Sequence, residues 1–155
     1  MIIDYLLNIG LPLLITFIFS FLIGFERQNI GKSAGISSHV LVSMASCAIA
    51  LLQRKISNDN PSFDGQRIIA QVVTGLGFLG AGVILKSNKT VKGLTTASTL
   101  WSAAMTGIII GMHYYALGIS IGAFIVLFMY LRDAFRHINP FKPHNTEENT
   151  KEIDH

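Results

Sequence analysis

Charge is what this sequence has least of. Asp, Glu, Lys and Arg make up 14% of 155 residues, half the residues are hydrophobic and the mean hydropathy is +0.50. That balance excludes a water-soluble domain of this length and places the chain in the membrane class. Cysteine is almost missing: Cys47 stands alone inside an apolar run, so no intrachain disulfide forms and the thiol reads as a small buried hydrophobe. Asp4, and no basic segment, precedes the first apolar run and no A-x-A site follows it, so it reads as a retained anchor and not a signal peptide. Walker motifs, nucleophile–base pairs and zinc spacings are absent too, and nothing argues for an enzyme or for a cofactor other than Mg2+. The net charge of +3 sits in short loops between apolar runs, which makes it a topology signal and not a nucleic-acid footprint.

What is present is a series of uncharged runs. Residues 5–25 and 33–53 are each 21 residues free of charge, and residues 68–85 form another such run of 18. At 1.5 Å per residue each is close to the roughly 30 Å hydrocarbon core. Pro12 lies inside the first run and is expected to bend it, with a neighbouring helix satisfying the freed carbonyl. Residues 93–131 are 39 in a row without charge. As one helix they would measure about 58 Å, so they must fold back, with the turn at Gly111-Met112-His113-Tyr114-Tyr115. The predicted fold class is all-α, a polytopic bundle of about five transmembrane helices near 5–25, 38–53, 68–85, 94–111 and 114–131. Residues 1–131 form the membrane domain and 132–155 a polar cytoplasmic tail with little to bury. With the N-terminus outside, nine basic residues fall on the inner side and three on the outer, in line with the positive-inside rule.

Residues 66–101 are the stretch on which the rest is expected to be organised. Gly75, Gly77, Gly80 and Gly82 put small residues all round the third helix, and small residues let helix backbones approach closely in lipid. That helix is expected to be packed on several sides. Gly75, Gly77 and Gly80 also spell GxGxxG, but the strand, amphipathic helix and acidic residue of a dinucleotide site are missing around them. Gly107 and Gly111 on the fourth helix and Gly118 and Gly122 on the fifth repeat the small-residue spacing.

The polar candidates lie at helix ends. Glu26-Arg27 closes the first helix; it reads either as an interfacial ion pair or as a functional acid, and Glu26 is the best candidate for holding a cation. Asp64, Arg67 and Gln71 share one face at the start of the third helix, as an N-cap pair or as a vestibule with Gln71 its buried end. Lys86, Lys89 and Lys92 precede Thr95 and Thr96 at the fourth helix's N-terminus, an orientation signal or a seat for an anionic lipid. Thr95 and Thr96 are candidates too, though such hydroxyls more often bond between helices. His39 and His113 have no ligand-spaced neighbours and read as interfacial.

Four blocks, 24–28, 35–42, 67–82 and 91–101, taken together resemble the membrane domain of the MgtC/SapB family over about residues 5–131. The resemblance implies a bacterial inner-membrane protein linked to magnesium homeostasis, growth at low magnesium and, in some pathogens, virulence. It implies a regulator more than a pump, and one family member is associated with restraint of the F-type ATP synthase. Ser37-Ser38 stand where members usually carry Arg-Thr, which removes an arginine partner for Glu26. With about 24 residues after the fifth helix, the chain resembles the short SapB-like members.

The leading expectation is a non-enzymatic modulator that meets a membrane-protein partner or a second copy through small-residue faces, Gly107 and Gly111 above all. The alternative is a Mg2+ or other cation transporter or channel, for which only Glu26 and Asp64 lie at helix edges. A third reading is a lipid-binding protein using the three lysines.

Overall fold

The structure, a computed structural model, describes residues 2–60, 62, 64–87 and 90–136. Five helical spans are long and apolar enough to cross a membrane. The first joins α1 (Ile2–Tyr5), a π-helical turn (Leu6–Gly10) and α2 (Leu11–Asn29); then come α3 (Ile36–Asp59), α4 (Gln66–Val83), α5 (Leu94–Gly111) and α6 (Tyr115–Arg136). The fold-back within 93–131 occurs where predicted, with His113 at φ 65° between α5 and α6.

Pro12 lies in the first turn of α2, directly after the π-helical turn. It has no N–H to give to the Asn8 carbonyl four residues back. That carbonyl instead accepts a bond from His113 Nε2 at 3.1 Å, so the α5–α6 turn supplies what proline withholds.

The hub of the bundle is α5, not α4. Of α5's residues 61% are buried, against 6% of α4's. Helices α2, α3 and α5 pack mutually, α6 lies against α5 and α2, and α4 rests mainly on α5. Gly107 and Gly111, expected to meet a partner, instead seat α5 on α3 of the same chain: a Cβ on Gly107 would stand 2.5 Å from the Ser43 carbonyl oxygen, and one on Gly111 2.6 Å from that of Cys47. Gly118 and Gly122 fit against the side chains of Ile110 and Phe19. On α4 only Leu76 is buried. Added Cβ atoms at Gly75, Gly77 and Gly82 would meet nothing within 4 Å, and one at Gly80 would reach only Ala97 at 3.8 Å. The predicted packing of α4 on several sides is thus corrected: small residues permit close approach but do not say which neighbour makes it.

Two further differences concern the loops. Between α4 and α5 the chain forms a short antiparallel ladder, β1 (Leu85–Ser87) with β2 (Thr90–Lys92), so the predicted helix end at 85 falls at Val83. Gly93 then starts α5 at φ 89°, where a Cβ would stand 2.1 Å from the Val83 oxygen. Only glycine fits there. The predicted polar tail begins late, because 132–136 form the last turns of α6; residues 137–155 lie outside the described residues.

Candidate functional site: a clasped glutamate and a buried histidine

The last turns of α2 point inward. Ile23, Gly24, Glu26 and Arg27 are all buried there, with Glu26 3% and Arg27 0% exposed. Gly24 makes this geometry available, since a Cβ on it would come within 2.6 Å of Ile36 Cα at the start of α3. The approach lets Gln28 Oε1 accept the Ile36 N–H at 3.3 Å, tying the two helix ends together.

Glu26 is held by two arginines. Arg27 donates from Nε to Oε2 and from Nη2 to Oε1, and Arg132, on α6 and 106 residues away, donates from Nη2 to Oε1 at 2.8 Å. Arg132 Nη2 also reaches Asp133 at 3.1 Å. Two carboxylates and two guanidiniums cancel. Paired in this way, Glu26 has both oxygens engaged and latches the first membrane span to the last. Arg27 Nη1 and Arg132 Nε are buried without a hydrogen-bond partner. Glu26 is the only buried carboxylate among the described residues.

One turn into α3, His39 is fully buried. Its Nδ1 lies 2.8 Å from the Gly35 carbonyl and its Nε2 3.1 Å from Thr99 Oγ1 on α5. A nitrogen facing a carbonyl carries the proton, so Nε2 is the atom that meets the threonine hydroxyl. Thr99 in turn lies 2.9 Å from the Thr96 carbonyl, and Ser43, one turn further along α3, donates to the Ala103 carbonyl at 2.7 Å. The reading of His39 as interfacial is corrected: it is a polar peg between α3 and α5, placed by Gly24 and Gly35. His39→Leu should lower stability by about 1–3 kcal/mol and Thr99→Val by about 1. Unfolding in SDS titrations checks this, and the double variant should lose less than the sum of the two.

Other sequence candidates are scattered. Asp64, Arg67 and Gln71 are all exposed, and α4 starts from Gly65 with no side-chain cap. Arg67 and Gln71 do share a face, lining a shallow groove with Ile49, Ile68 and Val72, but Gln71 is not its buried end. Thr96 is buried and Thr95 exposed. Lys92 is exposed in β2, Lys86 lies in β1 and Lys89 falls outside the described residues. Arg132 was missed. The signal for it was available: in an up-and-down bundle of five spans, the C-terminal ends of the first and last share one side, which puts Arg132 at the depth of Glu26. No three His, Cys, Asp or Glu side chains converge as metal ligands among the described residues.

Comparison with known proteins agrees with this architecture. A match to the MgtC family covers residues 13–138. The chain is 43% identical over 124 residues to the Escherichia coli K12 protein named "Putative magnesium transporter YhiD", an alignment covering 76% of this chain and 58% of that protein. It is 37% identical over 136 residues to Protein MgtC of Salmonella typhimurium LT2, covering 87% of this chain and 55% of the relative. Protein MgtC of Brucella abortus is 40% identical over 95 residues, 61% of this chain and 39% of the relative. The chain thus spans little more than half the length of the first two. No solved structure matches it. A five-span bundle with a family match across nearly all its described helices is a multi-pass membrane protein, and the chain belongs to the MgtC family.

Proposed function

We propose that this chain acts in magnesium homeostasis as a non-enzymatic modulator of a membrane partner, and does not itself carry the ion. The magnesium link rests on the family and on the name of YhiD. The observation that favours modulation over transport is the clasp on Glu26, whose two oxygens are already taken by Arg27 and Arg132. Mg2+ dehydrates reluctantly and is usually held by carboxylates with retained waters, so a conduit would need this acid released. Within the chain α4 is open on two sides, one with Gly75 and Gly82 and the other with Gly77, and this helix is the surface offered to a partner or a second copy. By family resemblance the F-type ATP synthase is one such partner. In this reading the protein sits in a bacterial inner membrane with its N-terminus outside and its C-terminal end in the cytoplasm, on the side that holds nine of the twelve lysines and arginines.

The second reading is a Mg2+ transporter, favoured by the name that YhiD bears. Sealed liposomes with an encapsulated Mg2+-sensitive dye and an imposed potential separate the two. Uptake equal to that of empty liposomes, from protein shown to be folded and inserted, supports modulation. Saturable uptake lost in Glu26→Gln would replace it with transport.

A further inference from the structure

A groove of about 300 Å³ runs along the bundle between α5 and α6; Ser98 and Ser102 on its α5 wall also border the groove between α4 and α5. Its α5 wall carries hydroxyls, Thr95, Ser98 and Ser102; its α6 wall carries Phe128 and Met129, and Arg132 closes one end. Thr95 and Arg132 lie at the end of the bundle where Glu26 sits, whereas Ser102 is seven residues further along α5, about 10 Å deeper. The groove therefore reaches from headgroup level well into one leaflet of a core roughly 30 Å thick. Phe128 is 67% exposed, so the apolar wall faces lipid and not a protein neighbour of the chain.

We propose that this groove is a binding site for a single anionic phospholipid. The chemistry of its two ends selects that occupant. Arg132 gives Nη2 to Glu26 and Asp133, and its side chain remains 31% exposed at the groove's mouth. Lys92, exposed just before α5, adds positive charge at the same end. Thr95 is exposed there, so its hydroxyl can meet a phosphate ester, whereas the Ser98 hydroxyl already donates to the Leu94 carbonyl at 3.0 Å. An acyl chain alone would leave the exposed Lys92 and the exposed part of Arg132 without an anion at the groove's mouth, and a free anion would leave the aromatic wall in contact with nothing that needs it. A phospholipid supplies both.

Native mass spectrometry of the full chain in detergent, offered equal phosphatidylglycerol and phosphatidylcholine of matched acyl chains, tests this. The wild type should retain one phosphatidylglycerol with about fivefold preference, the scale of one basic residue at an anionic surface. Arg132→Gln should abolish the preference. Ser98→Leu, which fills the groove without touching the Glu26 clasp, should reduce retention of both lipids and guards against a folding defect in the arginine variant. Equal retention of the two lipids by the wild type, or unchanged binding in both variants, would overturn the site. So would displacement of the lipid by millimolar glycerol 1-phosphate, which marks a soluble-anion site, or a lipid-free dimer lost in Phe128→Ala, which assigns the groove to a second copy.

Discussion

Gly107→Leu is expected to unfold the bundle, whereas Gly77→Leu leaves it folded. The leucine Cβ at 107 would stand 2.5 Å from a backbone oxygen of Ser43, and backbone cannot turn aside as a side chain can. It would also displace the Ser43 hydroxyl, which donates to Ala103 at 2.7 Å one turn away. Overpacking costs about 1–3 kcal/mol where neighbours can give, and a clash with main chain belongs at or above the top of that range. Loss of the hydrogen bond adds about 1 kcal/mol. Gly111→Leu, set against the Cys47 oxygen, should behave alike. At Gly77 the added side chain meets open space, so stability should stay within about 0.5 kcal/mol. SDS or thermal unfolding gives the first comparison, and crosslinking in membranes the second. Association with a partner or second copy should fall in folded Gly77→Leu. Stability in Gly107→Leu equal to wild type would refute the packing of α5 on α3.

Arg27→Met is expected to be the most damaging change at the clasp. Arg27 is fully buried and engages both oxygens of Glu26. Removing Arg27 leaves Glu26 to the partly exposed Arg132 alone, and breaking a buried ion pair costs up to about 3–5 kcal/mol. Arg132→Met should cost less, because its side chain is 31% exposed and water screens the remainder. Replacing both members of a buried pair by apolar residues is often neutral, so Glu26→Met with Arg27→Met should regain most of the loss. A single Arg27→Met variant as stable as wild type would mean the pair contributes nothing. A double variant no better than the single would mean that Glu26 matters through Arg132 alone. Combined with liposome flux, the series also separates the latch from any ion pathway, since a latch variant lowers stability without creating uptake.

Much of the architecture was legible because it rests on local quantities. Uncharged runs of about 20 residues, their separation by basic loops and the excess length of 93–131 require five spans and a turn near 111–115, whatever the helices touch. The four blocks that resemble the MgtC/SapB family are read in the same way, as residues in order along the chain. Depth and neighbours are different in kind. Glycines at 75, 77 and 82 look no different in sequence from those at 107 and 111, yet the first set faces open space and the second meets the backbone of α3. His39 carries no marker of burial, and Arg132 looked like a charge that only sets orientation. Each was decided by which helix lies against which, because in lipid small residues, hydroxyls and charges acquire partners only when another helix brings them within reach. Composition thus determined that this chain crosses a membrane five times; the packing of α2, α3, α5 and α6 determined that Glu26 is clasped.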